Sequence, residues 1–191
     1  MNERRQILYF DLGSPYAYLA VERAERVLGA KPELEPILLG AIMKRRGYGS
    51  WAFTDERDDR IADLQDRARR YGLPPLVWPD GWPANGLAAM RAATWAKECG
   101  AVEPFTLSVF RRHFASGADL ADIEVLAACA REAGLDPEEM RTAIQSPEIK
   151  QLLREATDAA WAAGVRGVPT LSVDGELVFG DDRLEAAASR R

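Results

Sequence analysis

The sequence predicts an α/β fold, a mixed four-stranded sheet whose two halves are separated in the chain by an all-helical insertion. Three observations predict it. Ile7 to Phe10 is a run of four apolar residues that ends at a glycine turn, after which Tyr16, Leu19, Ala20, Ala24, Val27 and Leu28 recur at helical spacing. Near the other end, Asp174-Gly175 divides Thr170-Leu171-Ser172-Val173 from Leu177-Val178-Phe179, a strong hairpin signal. Between them the patterning is helical, and 191 residues with 47% apolar content can build one substantial core, or a core shared with a helical subdomain.

Each element has a local reason. Ser14 directly before Pro15 pairs an N-cap with a first-turn proline: the hydroxyl accepts from a first-turn amide, and proline gives up an N–H that would be unpaired anyway. A serine at the start of a helix, beyond the C-terminal end of a buried strand, sits where α/β sheets place chemistry, although Ser-Pro taken alone is a cap. The helix ends near Gly29, and Lys31 to Leu39 reads as a second strand in which Pro36 argues for an edge. Strand, helix and strand make a right-handed βαβ unit. After Gly40 the chain turns helical, with Thr54 to Tyr71 carrying Ile61, Leu64, Ala68 and Tyr71 on one stripe of a charged, half-solvated helix. Leu73 to Asn85 holds four prolines with Leu76, Val77, Trp78 and Trp82, a stiff, packed loop.

Helices are predicted over Leu87 to Cys99, Pro104 to Phe114, Leu120 to Ala133, Pro137 to Ile144 and Pro147 to Ala163. Asp136-Pro137-Glu138-Glu139 carries a capping box, and Ser146-Pro147 repeats the serine-proline start, showing that the dipeptide can be purely structural. The stripe Ile149, Leu152, Leu153, Ala156, Ala160 and Trp161 returns the chain to the sheet, and Asp181-Asp182-Arg183-Leu184 opens the last helix.

Composition excludes several classes. The net charge is −5 with basic and acidic residues interleaved, which disfavours a nucleic-acid surface. Met1 to Gln6 is too short and too charged for a signal peptide, and no apolar run approaches the roughly 18 residues needed to span a bilayer, so a cytoplasmic protein with no membrane partner is expected. The two cysteines, Cys99 and Cys129, form neither a C-x-x-C pair nor a zinc cluster, and the sole histidine, His113, has no second histidine with which to build a metal site. No metal is expected.

Ser14-Pro15-Tyr16 taken together with Gly164-Val165-Arg166-Gly167-Val168-Pro169-Thr170 and Gly180-Asp181-Asp182-Arg183 resembles the 2-hydroxychromene-2-carboxylate isomerases and kappa-class glutathione transferases, the glutathione-using branch of the DsbA-like thioredoxin superfamily. The resemblance extends over essentially the whole chain. It implies a thioredoxin-like domain of residues 1–40 and 145–191 and an inserted helical domain of residues 41–144. It further implies reduced glutathione as cofactor, its sulfur at Ser14 and its backbone paired to Val168 before a cis Pro169, with its γ-glutamyl end near Asp181 and Asp182. The family's asparagine and lysine contacts fall near Gly49-Ser50 and Arg57, with Lys44 as another cation at the mouth; Asn85 is a further polar candidate. Trp51, Trp78 and Trp82, with Phe53, form the wall against which an aromatic substrate lies.

The implied activity is glutathione-dependent cis-trans isomerisation: thiolate addition to a conjugated aromatic oxo-acid, bond rotation and elimination. A kappa-class-like transferase acting on a small electrophile, or a non-catalytic thioredoxin-fold binding module, is the alternative. A homodimer is left open. Disulfide exchange is disfavoured because Ser14 occupies the first cysteine position of the dithiol motif and Tyr16-Ala17 follow where a second thiol is needed.

Overall fold

The computed structural model describes residues 5–189. Its sheet is built around β1 (Gln6–Phe10), in which Leu8, Tyr9 and Phe10 are all buried, as expected for a strand covered on both faces. β2 (Glu33–Pro36) pairs with β1 in parallel on one side, and β3 (Thr170–Val173) pairs antiparallel on the other, followed outward by β4 (Glu176–Phe179). The order β2-β1-β3-β4 puts Pro36 on an edge strand, where a missing N–H breaks no ladder. Residues 170–173 and 7–10 therefore share one sheet, with Leu8 opposite Leu171. The hairpin between β3 and β4 turns through Asp174 (φ 51°) and Gly175 (φ 90°), the two positive angles that a type I′ turn requires.

Three departures from the sequence reading have physical causes. The first helix is two, α1 (Pro15–Val21) and α2 (Ala24–Leu28), broken at Glu22-Arg23. Arg23 turns inward there and is 1% exposed; its guanidinium lies 3.3 Å from the centre of the Tyr71 ring, donates to the Asp181 carbonyl at 3.2 Å and pairs with Glu185. The second strand stops at Pro36, because Leu38 caps α3 (Leu39–Arg46) and its amide is held by Thr157 Oγ1 at 3.0 Å. The third departure is in α6 (Val102–Phe110), which gives way to a π turn over Arg111–Ala115; this turn buries His113 with Nδ1 2.7 Å from the Ala118 carbonyl.

The remaining helices are α4 (Arg57–Tyr71), preceded by a 3₁₀ turn at Trp51–Phe53, then α5 (Leu87–Glu98), α7 (Ile123–Glu132), α8 (Pro137–Ala143) and α9 (Pro147–Ala162). After β4, a 3₁₀ turn at Asp181–Arg183 leads into α10 (Leu184–Ala188). The helical segment and the sheet share one core. Phe110 packs on Phe10 and Tyr18 with ring centroids 6.1 and 5.8 Å apart, Phe114 stacks on Tyr18, and α5 packs against α9 and β2. Among the described residues, no helix is long and apolar enough to cross a membrane.

Candidate active site

The site begins where β1 ends. Asp11 Oδ1 accepts from the Gly13 amide at 2.8 Å, and the Asp11 carbonyl accepts from the Ser14 amide at 3.0 Å, so the chain folds into a tight turn that sets Ser14 at the head of α1. Ser14 is extended (φ −95°, ψ 114°) and accepts from the Ala17 amide at 3.2 Å. Ser146 makes the same cap at α9, accepting from Ile149 at 3.1 Å, so the capping bond itself is not the distinguishing feature. Position is.

Ser14 borders two cavities that meet at it, with Leu39, Met43, Ser50 and Trp51 on both boundaries. The first chamber, about 340 Å³, is walled mainly by apolar groups: Leu38, Met43, Trp51, Trp82 and Met90, with Asp11 beside Ser14. The second, about 510 Å³, is polar at its rim, carrying Arg46, Glu56 and Arg60 together with Tyr16, Tyr48 and Phe179, and it reaches Gly167 and Val168.

The Val168–Pro169 peptide is cis. Among the described residues no hydrogen bond engages the amide or carbonyl of Val168, whereas the carbonyl of Pro169 is taken by Gly180 at 3.0 Å. A residue with both backbone groups unengaged beside a cavity can pair with a peptide-like ligand as a strand edge would.

Two of the expected cations and both acids fall elsewhere. Lys44 is exposed on the last turn of α3 and borders neither chamber; Arg46, two residues on, does, because two residues rotate a helix by about 200°. Arg57 likewise borders neither chamber, its Nε buried without a partner, and Arg60, one turn further along α4, takes that position. Arg60 bonds Glu56 at 2.8 Å and stands over Trp51 at 5.8 Å; hydrogen bonds to Glu56 and Tyr16 raise its pKa. Asp181 is 1% exposed and its carboxylate is already committed, accepting from Arg67 Nη1 and from the Tyr71 hydroxyl, both at 2.9 Å. It clamps α4 to the segment after β4. Burial pushes the Asp181 carboxyl up against the pull of Arg67 and Tyr71. Asp182 stays half exposed, 3.7 Å from Arg67. The Arg60-Leu64-Arg67-Tyr71 spacing, i, i+4, i+7 and i+11, was a legible signal that these two arginines share the inward face of α4.

The tryptophans divide as well. Trp51 and Trp82 line the first chamber, 5.2 Å apart, and Tyr16 meets Trp51 edge-on at 6.1 Å. Trp78 borders neither chamber; it backs Trp82 at 4.8 Å and rests on Phe114 at 6.0 Å. Phe53, on the same 3₁₀ turn as Trp51, is 78% exposed and borders neither chamber. The Trp82–Pro83 peptide is also cis, which no local pattern announced. Ser50 caps the Trp51–Phe53 turn by accepting from Ala52 at 3.2 Å, and Asn85 Oδ1, on the wall of the first chamber, accepts from Leu87 at 3.1 Å. Sequence reasoning missed Asp11, whose Oδ2 accepts from the Leu39 amide at 2.8 Å and so ties the Ser14 turn to α3. Burial raises the Asp11 pKa, opposed by the amides of Gly13 and Leu39. Cys99 and Cys129 lie outside both chambers, and burial raises both thiols. Among the described residues, no group of three or more His, Cys, Asp or Glu could hold a metal.

The DSBA-like thioredoxin domain family matches residues 7–190. A 2-hydroxychromene-2-carboxylate isomerase of Sphingobium xenophagum is 30% identical over 183 residues, covering 93% of this chain and 92% of that protein. The glutathione S-transferase kappa 1 of Homo sapiens is 26% identical over 198 residues, covering 95% of this chain and 88% of its own. The solved structure of a 2-hydroxychromene-2-carboxylate isomerase superposes with a TM-score of 0.85 at 26% identity, over 97% of this chain and 94% of that one. A probable DsbA oxidoreductase from Streptomyces coelicolor shares the fold at 21% identity, with a TM-score of 0.75 over 98% of this chain and 89% of that one.

Proposed function

The chain belongs to the DsbA-like thioredoxin family, on the branch of the 2-hydroxychromene-2-carboxylate isomerases and kappa-class glutathione transferases, and from that premise we propose that it is a glutathione-dependent isomerase of conjugated aromatic compounds. The observation that carries the reading is the position of Ser14, at the head of α1 and on the boundary of both chambers. A thiol reaching Ser14 from the second chamber meets an acceptor held in the first.

The residues of the second chamber fit a γ-glutamyl tripeptide. Val168 offers an amide and a carbonyl to its backbone, and Arg46 and Arg60 offer guanidinium groups to its carboxylates. Asp182 borders neither chamber; the acid that stands on the second is Glu56, and it is offered to the γ-glutamyl ammonium. When bound, glutathione supplies a sulfur nucleophile that adds to the conjugated double bond, permits rotation about the resulting single bond, and is expelled as the alkene re-forms.

Ser14 is too weak a base to take the thiol proton. Its Oγ accepts from Ala17, which leaves its own proton to donate to a sulfur anion, and the first-turn amides of α1 add a favourable potential. Both effects favour thiolate at neutral pH. Trp51 and Trp82 present flat apolar surfaces to an aromatic acceptor and keep water from the reacting atoms. Isomerisation is favoured over transfer by the higher identity to the isomerase, 30% against 26%. A transferase would use the same serine, with the sulfur remaining on the product.

The test pairs wild type with Ser14→Ala (S14A), with and without glutathione, on 2-hydroxychromene-2-carboxylate and on a chlorodinitrobenzene-type electrophile. Losing one hydrogen bond to charged sulfur costs about 1.5–3 kcal/mol, so turnover is expected to require glutathione and to fall about ten- to hundred-fold in S14A. Turnover of the first substrate alone supports the isomerase, and of the second alone the transferase. Activity indifferent both to glutathione and to the substitution would refute the reading and leave a binding module.

A further inference from the structure

The wall of the first chamber offers hydrogen-bond donors but no cation. Its one ionisable side chain among the described lining residues is Asp11, whose two oxygens accept from the amides of Gly13 and Leu39, both at 2.8 Å. Its hydroxyl and amide side chains are Ser14, Ser50 and Asn85, and the oxygen of each accepts from a backbone amide two or three residues on: Ala17 at 3.2 Å, Ala52 at 3.2 Å and Leu87 at 3.1 Å. Among the described residues none of the three side chains donates, so their protons are free for a ligand. We propose that Asn85 is the oxyanion donor of the site, its amide N–H groups bonding the acceptor oxygen that gains negative charge as the thiolate adds. The inference deepens the reading of this chamber as the acceptor's place and rests on it.

Ser14 and Ser50 stand on both chambers, at the junction where the sulfur is placed, whereas Asn85 stands on the first alone. Its amide has a defined sense: the Leu87 N–H can only donate, so the group facing it is Oδ1, and Nδ2 is the group left for a ligand. Leu87 opens α5 and Leu39 opens α3, so two helix N-termini meet this wall and add positive potential without a charged side chain. Addition to a conjugated carbonyl compound forms the S–C bond at the carbon β to the carbonyl; the alkene pair moves toward the carbonyl carbon, and the carbonyl π pair settles on oxygen as an enolate. After rotation that pair returns, the alkene re-forms and the S–C bond breaks with its electrons going back to sulfur, so no proton, oxidant or reductant is consumed. With no cation on the wall, the enolate oxygen depends on neutral donors, and a donor fixed in advance favours the charge that develops over the uncharged carbonyl it came from.

The test reads an oxyanion without turnover. 4-Nitrophenol, whose neutral and ionised forms absorb differently, is titrated with pH on the full chain in the absence of glutathione. The bound phenolate is expected to be favoured over the bound phenol by at least about ten-fold, read as a fall in the probe's pKa on binding. In Asn85→Ala (N85A) that preference is expected to shrink below about three-fold. N85A is also expected to bind glutathione as wild type does in calorimetry, while kcat for isomerisation falls about ten- to hundred-fold. An undiminished preference in folded N85A overturns the role of Asn85. So do a preference lost in R60A but kept in N85A, weakened glutathione binding by N85A, and failure of wild type to bind the probe or to lower its pKa. If N85A does not fold, Asn85→Asp (N85D) decides: its carboxylate keeps an acceptor for Leu87 and removes both N–H donors, so a retained preference overturns the proposal and a lost one supports it. Because glutathione is absent from the probe measurement, its outcomes are separate from the S14A test. A lowered probe pKa with no glutathione-dependent turnover would remove the proposed function and leave the oxyanion site standing, whereas turnover that depends on Ser14 with an unperturbed probe would keep the function and remove Asn85 from it.

Discussion

Replacing Arg67 with alanine tests whether the ion pair across α4 and the 3₁₀ turn holds the helical segment against the sheet. Arg67 Nη1 lies 2.9 Å from Asp181 Oδ1, its Nε lies 2.7 Å from Asp63, and Asp181 is 1% exposed. In R67A the buried carboxylate keeps only the Tyr71 hydroxyl as a side-chain partner. A charged hydrogen bond contributes about 1.5–3 kcal/mol, and breaking a fully buried pair costs about 3–5 kcal/mol. Because the Arg67 side chain is 21% exposed, water screens part of the interaction, and a loss of about 2–4 kcal/mol is expected, or about 4–16 °C in Tm. The pH dependence has a definite sign. Burial already raises the Asp181 pKa, and Arg67 opposes the rise; without Arg67 the folded-state pKa climbs further above the unfolded value. The deficit of R67A is therefore largest at pH above that folded pKa and shrinks as pH falls through it, where the folded form takes up the proton. Urea denaturation of wild type, R67A, D181N and the double variant at about pH 8 and about pH 5 measures both effects. The double variant is expected to be less destabilised than the sum of the singles by at least about 1 kcal/mol. Additive losses, or an R67A deficit equal at both pH values, would refute the clamp.

Two further outcomes follow from the site and the core. R46A and R60A are each expected to weaken glutathione binding about three- to thirty-fold with kcat little changed, since the proposed binding mode gives their guanidinium groups to the cofactor's carboxylates and not to the reacting sulfur; unchanged affinity by calorimetry would move those contacts elsewhere. Burial holds the His113 pKa below its ordinary value, so the unfolded chain binds a proton near pH 6.5 that the folded chain refuses, and stability is lost as pH falls below about 6.5. H113N keeps a donor for the Ala118 carbonyl and is expected to flatten that part of the stability profile; an identical slope in urea midpoints would exclude His113 as its source.

Short-range physics made much of this protein legible. The apolar run of β1, the Ser14-Pro15 start, the Ser146-Pro147 start and the Asp174-Gly175 turn each depend on residues within four positions of one another, and all four stand in the structure where the sequence put them. Pro169 was legible only through the motif that surrounds it, because nothing in a proline's own composition distinguishes cis from trans. Other assignments turned on which way a side chain faces, and that depends on how an element is rotated by its packing. Lys44 and Arg46 differ by two residues and by just over half a turn of helix, so composition near position 45 could not decide between them. Arg57 and Arg60 differ by one turn, and only the seating of α4 decides which reaches the chamber. The Arg67–Asp181 bond joins residues 114 positions apart, and it takes Asp181 away from the ligand role its motif suggested. Asp11 acquires its place through the amide of Leu39, a residue 28 positions on, brought there when β2 ends at Pro36 and α3 begins. The sequence determined the elements and the serine at their junction; the packing of α3 and α4 decided which charges face it, because a helix commits every third or fourth residue to one side only once something lies against it.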